Sequence, residues 1–338
     1  MNIAAFTGGR NVPSARFRIR QYIRSLARSG IDVMEFTARL GSWPPPRRIL
    51  RPIWGIATLL DRVPGVLASR RYDLTFLQRE MLSTFVSLER WVKAPRVLDV
   101  DDAIWLHKRG DYAKRLAAIC RGIICGNEFL AEYFRRWSSD VRVIPTAVDT
   151  SRFQPARDRR DSEVFVLGWC GQHSGLRYLL GIESALESLL RRHRAMKLRI
   201  VCDTNPGPGA LPAGQVEFMP WSIETEVTAI QGMDVGLMPL LDDPWCRGKC
   251  SYKMLLYMAC GLPVVVSPVG MNPQVLKRGQ VGLGASSMDE WVDAIEWLAQ
   301  ERGAWSAMGR EGRRVVEEHY SLQVLTPVLA ECLREMAE

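Results

Sequence analysis

Three acidic residues fall within four positions in Leu98-Asp99-Val100-Asp101-Asp102, at the end of a strand-like apolar run. Like charges packed this closely raise one another's pKa. In an open α/β sheet, ligands gather at the carboxyl ends of strands. Asp101 and Asp102 are therefore candidate catalytic carboxylates, with a helix cap by Asp102 as the plain alternative. A second signal is Gly168-Trp169-Cys170-Gly171-Gln172-His173-Ser174-Gly175. A loop of this kind after a strand offers a diphosphate its backbone N–H groups and a helix start. Gly171, His173 and Arg177 are its candidate contacts, although His173 also reads as a surface histidine. The densest signal is DDPWCRGKCSYKMLLYMACGLPVVVSPVG, residues 242–270. Arg247, Lys249 and Lys253 stand just before and inside an otherwise apolar helical stretch, while Gly248 and Ser251 leave room for close backbone approach. Cations at a helix N-terminus oppose its dipole. An anionic ligand relieves that conflict; a solvated basic turn is the alternative.

Two weaker signals lie near the start. Gly8-Gly9-Arg10 follows the first apolar run, and the glycine pair either lets a ligand approach the backbone or makes a tight turn. Arg16, Arg18, Arg20 and Arg24 open the next helical stretch. Positions 16, 20 and 24 share one helical face and 18 points away. The cluster reads either as a phosphate clamp or as a solvated face.

The elements that must position these residues are short apolar runs alternating with longer helical patterns. Ile3–Phe6, Ile31–Phe36, Leu74–Gln78, Arg96–Asp99, Gly122–Cys125 and Val141–Ile144 read as strands, and Arg16–Ala27 as a helix ending near Gly30. The alternation restarts with a strand at Val164–Trp169, a helix at Leu176–His193 and a strand at Leu198–Cys202. It continues through Ile223–Ile230, Val235–Pro239, Tyr252–Cys260 and Pro263–Val266. Such alternation argues for parallel sheets covered by helices. PTAVDTSRFQPARDRRDS, residues 145–162, is polar with two prolines and reads as the boundary. The tail reads as three helices, Met288–Gln300, Ala304–His319 and Ser321–Met336, with Ser321 as an N-cap.

A chain of 338 residues is long for one core and suggests two domains. With 47% hydrophobic and 24% charged residues, disorder, collagen and coiled coil are poor readings. Residues 1–150 carry 25 basic and 14 acidic side chains, net +11, whereas 151–338 carry 20 and 23, net −3. The basic half suggests an anionic partner: nucleic acid, a membrane surface or a phosphorylated substrate. No nucleic-acid recognition motif accompanies it, so no nucleic-acid partner is expected. The eight cysteines form no CxxC and only four histidines exist, so no metal site is expected. The opening MNIAAF has neither a basic n-region nor a long apolar core, so no signal peptide is expected, and the cysteines read as reduced in a cytoplasmic protein.

Several phrases carry a resemblance. VIPTAVDTSRF resembles the interdomain phrase VIPNGVD…F of the family 4 (group 1) glycosyltransferases of GT-B fold, with Thr146 and Ala147 in place of Asn and Gly. KMLLYMACGLPVVVSPVG is similar to that family's LLEAMACGxPVVASxVGG. MDVGLMPL, GLGASSMDEWVDAIEWL and the final EEHYS follow in the same order, and SARFRIRQY and LDVDDAIWL resemble the N-terminal half of one branch.

The resemblance implies an α/β protein with two Rossmann-like domains facing across a cleft. Residues 1–150 would bind the acceptor and 151–320 a nucleotide-sugar donor, while 321–338 would cross back as a helix to the first domain. It implies retaining, metal-independent transfer with no cofactor, to a saccharide or lipid-linked acceptor. Gly8, Gly9, Gly171, His173, Arg177, Arg247, Lys249, Ser251 and Lys253 are then donor-binding candidates, and Arg16, Arg18 and Arg20 an acceptor or phosphate clamp. Two departures matter. The family's two-glutamate stretch has Gly248 and Leu256 here, and Asp101 stands where many relatives have histidine. They favour a second reading, a non-catalytic nucleotide-sugar or glycan-binding protein. A nucleotide-sugar epimerase, which shares the architecture, fits the phrases less well.

The stretch Pro44–Arg71 places Arg47, Arg48 and Arg51 before an apolar run and Arg70 and Arg71 after it. The run is too short to span a bilayer. Either it lies in the interface of an anionic membrane, peripheral on the inner face, or it packs on the N-terminal sheet as an ordinary amphipathic helix.

Overall fold

The computed structural model describes residues 1–10, 12–41, 43–107, 111–157 and 163–338. The boundary expected over 145–162 runs partly over 158–162, which lie outside the described residues. The chain divides into two compact units, one of Met1–Ala147, Gly248–Cys250 and Leu322–Glu338, the other of Val148–Arg247 and Ser251–Ser321.

Unit 1 runs β1 (Asn2–Thr7), α1 (Pro13–Arg18), α2 (Ile23–Arg28), β2 (Asp32–Thr37), α3 (Arg51–Ala68), β3 (Leu74–Gln78) and β4 (Arg96–Val100). It continues through α4 (Asp111–Ala117), β5 (Gly122–Cys125), α5 (Glu128–Phe134) and β6 (Val141–Val143). The six strands pair in parallel in the order β2-β1-β3-β4-β5-β6. Runs such as Ile3, Ala4 and Ala5 are apolar on both faces because both faces are covered. The single helix expected over Arg16–Ala27 is broken. Ile19 leaves helical geometry at φ −138°, and a 3-10 turn at Arg20–Tyr22 separates α1 from α2. The break removes the common face expected for Arg16, Arg20 and Arg24.

Unit 2 runs β7 (Phe165–Cys170), α6 (Leu176–Leu180), α7 (Glu183–Arg192), β8 (Met196–Cys202), β9 (Val216–Pro220), α8 (Glu226–Gln231) and β10 (Val235–Met238). Then come α9 (Pro244–Arg247), α10 (Tyr252–Ala259), β11 (Val264–Val266), α11 (Asn272–Leu276), β12 (Gly282–Gly284), α12 (Met288–Gln300) and α13 (Arg302–His319). This sheet is also six-stranded and parallel, in the order β12-β11-β10-β7-β8-β9. The helix expected over Leu176–His193 divides at Gly181, where the N–H still reaches Arg177 but the chain turns before α7. A Cβ on Gly236 would lie 2.3 Å from the Tyr257 ring, so the glycine lets α10 sit directly on β10.

Ala147 ends the first stretch of unit 1 and Val148 opens unit 2. The cause is hydrogen bonding: Val148 N–H donates to the Tyr320 carbonyl at 2.7 Å, and Arg313 donates to Thr150 O at 2.9 Å, which ties the opening of unit 2 to α13. The last helix, α14 (Leu322–Glu335), is part of unit 1, where Leu325, Leu329 and Leu333 join Ile3, Leu26 and Leu74 in one core.

Candidate functional site

In unit 1 the strand order sets the chemistry. β3, β4 and β5 are neighbours, so Gln78–Arg79, Asp99–Asp102 and Cys125–Asn127 end side by side. Arg79 adopts φ +61°, a left-handed conformation costly for a side-chain-bearing residue. Its guanidinium spans both acids, reaching Asp101 Oδ1 at 2.8 Å through Nε and ion-pairing with Asp102. From a distant part of the chain, Lys249 Nζ meets Asp102 Oδ1 at 2.6 Å. Asn127 Nδ2 donates to the Lys249 carbonyl at 3.1 Å, and Cys250 Sγ lies 3.4 Å from the Asp101 carbonyl. Glycines make this seating feasible: a Cβ on Gly126 would lie 2.3 Å from Cys250 Sγ, and one on Gly248 would lie 3.0 Å from Ala103.

Burial pushes the Asp102 carboxyl up, but Arg79 and Lys249 outweigh it and hold it below the usual carboxylate range. Burial alone would lower Arg79; the charges of Asp101 and Asp102 outweigh it and keep the group firmly cationic. Both candidate catalytic carboxylates, Asp101 and Asp102, are engaged by Arg79, a residue that sequence reasoning missed. The only signal for it was a cation directly after the Leu74–Gln78 run, at the level of the three acids.

Arg18 and Arg20, expected as a clamp, are engaged by carboxylates as well. Arg18 is 4% exposed, and its Nη2 meets Asp99 Oδ1 at 2.7 Å while Nη1 donates to the Ile144 carbonyl at 2.8 Å. Burial opposes its charge, but Asp99 more than compensates and the guanidinium pKa is raised. Arg20 pairs with Glu35 at 2.7 Å and donates to the carbonyls of Gly9 and Arg10, so it holds the glycine loop in place. Gly9 itself has φ +144°, which favours glycine there. Arg16 lies over the Phe17 ring at 4.7 Å.

In unit 2 the loop after β7 gathers part of the expected set. A Cβ on Gly171 would meet the Trp169 ring at 2.7 Å and Lys253 Cε at 2.9 Å. The missing side chain lets Lys253 lie across the loop, its Nζ 5.8 Å from the Trp169 ring centroid. Tyr257 Oη accepts the Cys170 N–H at 2.8 Å, fixing the loop to α10. His173 is exposed, its N–H donating to Asp203 Oδ1 at 2.7 Å. Arg177 is exposed and donates to Tyr178 Oη at 2.6 Å. Ser251 has φ +54° and donates to Asn272 Oδ1 at 2.6 Å, so it sets the start of α10. Arg247 pairs with Asp242 at 2.7 Å. Lys253 stands by the β7 loop of unit 2, and Lys249 pairs with Asp102 in unit 1. Among the described residues no three His, Cys, Asp or Glu side chains gather as a metal site would require.

Two parallel α/β units in one chain, each with charged loops at the carboxyl ends of its strands, have the architecture of the GT-B fold. Residues 164–301 match the family described as Glycosyl transferases group 1. It is 24% identical over 207 residues to a D-inositol 3-phosphate glycosyltransferase of Corynebacterium jeikeium (strain K411), a match covering 53% of this chain and 48% of that protein. The match thus spans about half the length of that relative. In fold the chain is similar to sucrose-phosphate synthase from Thermosynechococcus elongatus, with TM-score 0.78, 18% identity and 99% of each chain covered. It is also similar to HepE from Anabaena in complex with UDP-glucose, with TM-score 0.70, 14% identity, and 99% of this chain and 100% of that one covered.

The Asp102 cluster makes a pH prediction. Asp102 has a depressed pKa when folded, so its contribution is present above the unfolded value, about 3.9, and is lost as pH falls through the folded one. Asp102→Asn should cost about 1–3 kcal/mol at neutral pH, the range for a hydrogen bond to a charged group. Thermal melts of variant and wild type should converge as the solution is acidified below the carboxylate range. An equal gap at all pH values would show that the carboxylate charge is not what the cluster uses.

Proposed function

We propose that this protein transfers a sugar from a nucleotide-sugar donor to a saccharide or lipid-linked acceptor, with retention of configuration, no metal and no cofactor. The observation that carries the reading is the β7 loop of unit 2, where Gly171, lacking a Cβ, lets Lys253 lie across the loop near Trp169. A leaving diphosphate develops negative charge, and positioned cations and N–H dipoles stabilise it as it forms. One of its oxygens takes the acceptor proton. Gly171 and Lys253 serve the diphosphate directly, and His173 in the loop and Arg177 in the first turn of α6, both exposed, complete the donor set. Ser251 and Tyr257 position the helix that carries Lys253. Unit 1 takes the acceptor. The protein works in the cytoplasm and docks peripherally on the inner face of an anionic membrane; among the described residues no helix is long and apolar enough to cross one.

The test is a thermal-shift screen against UDP-, GDP-, ADP- and dTDP-sugars, followed by assay of donor consumption. A ligand that binds only the native state raises the melting temperature, by an amount that grows with concentration over Kd. UDP-glucose is the first choice, because the Anabaena neighbour is described with it. No shift with any donor would remove the donor site from the account. A second reading, a binding protein without turnover, is favoured by Leu256. The resemblance expects a glutamate at this position; the leucine is 6% exposed and accepts no hydrogen bond through its side chain. A melting shift without donor consumption would select that reading.

A further inference from the structure

Helix α3 is amphipathic the wrong way round. Its inward face is built from Thr58, Arg62, Gly65 and Val66. Arg62 is buried and donates to the Thr7 and Phe36 carbonyls at 2.6 and 2.9 Å, and Gly65 admits the Phe36 and Phe6 rings where a Cβ would lie within 3.1 Å of them. The outward face carries the apolar residues. Ile49, just ahead of the helix, is 83% exposed, and within it Ile53 is 68% and Leu60 65% exposed. Ile56, Val63 and Leu67 complete a stripe that steps by three or four residues, the spacing of one helical face. A surface helix of a globular domain normally turns its apolar stripe inward.

The charges around the stripe have one sign. Arg47, Arg48 and Arg51 lie exposed at its start and Arg70 and Arg71 at its end. Between Phe36 and Tyr72 the sole acid is Asp61. It accepts the Arg39 N–H at 3.0 Å and faces the Arg39 guanidinium at 3.7 Å, so it does not offset the basic ends.

We infer that the outward face of α3 is the surface by which this protein docks on an anionic bilayer. The stripe lies in the interfacial plane, with the five arginines on lipid phosphates at its two ends. The inference rests on the proposal that the protein works at a membrane face, and names the surface that meets it. A second copy of the chain fits the face less well. A two-fold pair brings each patch against its own kind, and basic ends would meet basic ends with no acid between them.

The test is co-sedimentation of the full chain with vesicles of phosphatidylcholine alone and of phosphatidylcholine mixed with phosphatidylglycerol, at low and high salt. Binding to the anionic vesicles at low salt, weakened by high salt, is expected. Arg47→Gln/Arg48→Gln/Arg51→Gln should lower partitioning on the order of 100-fold, at about 1 kcal/mol per arginine and about 1.4 kcal/mol per tenfold. Ile53→Ser/Leu60→Ser, which touches only exposed positions, should lower it by roughly tenfold or more. The wild type remaining in the supernatant under all conditions would overturn the inference. So would undiminished binding by both variants. A dimer in sedimentation velocity that the serine variant dissolves, without vesicle binding, would assign the face to self-association instead. Nucleotide-sugar melting shifts on the same preparations report the donor reading separately. Vesicle binding that persists without such a shift upholds the docking surface and removes only the donor assignment.

Discussion

Arg18→Met is expected to destabilise the protein by about 3–5 kcal/mol, the cost of leaving one member of a buried ion pair without its partner. Methionine keeps much of the volume, so the loss is electrostatic. Asp99, 1% exposed, would keep its charge position with Nε and Nη2 of Arg18 both gone, and the Ile144 carbonyl would lose its donor. Burial already pushes the Asp99 carboxyl up even with Arg18 present. The companion Arg18→Met/Asp99→Leu should recover most of the stability, because an apolar pair of similar volume carries no desolvation cost. Urea unfolding of the two variants and wild type measures both values. A single variant within about 0.5 kcal/mol of wild type, the range of an ordinary surface change, would show that the pair does not brace unit 1.

The second large effect is expected at the β7 loop. Lys253→Met should weaken nucleoside diphosphate binding by about 1–3 kcal/mol, roughly 10–100-fold, with little change in melting temperature. Gly171→Val should do at least as much. Its Cβ would enter space held by the Trp169 ring at 2.7 Å and Lys253 Cε at 2.9 Å, so both must move. Lys249→Met supplies the contrast. Its ammonium is engaged with Asp102 in unit 1, so the expected loss is in stability rather than in nucleotide affinity. Titration calorimetry with UDP and GDP on the three variants separates the roles. Lost affinity in Lys249→Met with unchanged affinity in Lys253→Met would move the diphosphate to the other lysine.

Much of the scaffold was legible from local pattern. The apolar runs Leu74–Gln78 and Gly122–Cys125 are β3 and β5, and Met288–Gln300 is α12, with Ser287 and Glu290 forming its capping box. Edges were harder to read. β9 and β12 had no strand expectation: Val216–Pro220 is half exposed and ends in proline, and Gly282–Gly284 is two-thirds glycine. Periodicity marks a strand by its buried face, and an edge strand buries less of it.

The amino-acid order by itself determined the alternation of strands and helices, the basic first half and the loops with the composition to meet a phosphate. Those properties depend on residues a few positions apart. Tertiary structure alone decided which charges are already engaged. Arg18 and Asp99 are 81 positions apart, and Lys249 and Asp102 are 147 apart. They meet because a parallel sheet orders its strands out of sequence, and because Gly126 and Gly248 lack the Cβ atoms that would hold 248–250 away. It also decided that α3 turns its polar side inward: buried Arg62 satisfies the carbonyls of Thr7 and Phe36 at the ends of two strands, a demand set by the sheet and invisible in the helix's own periodicity.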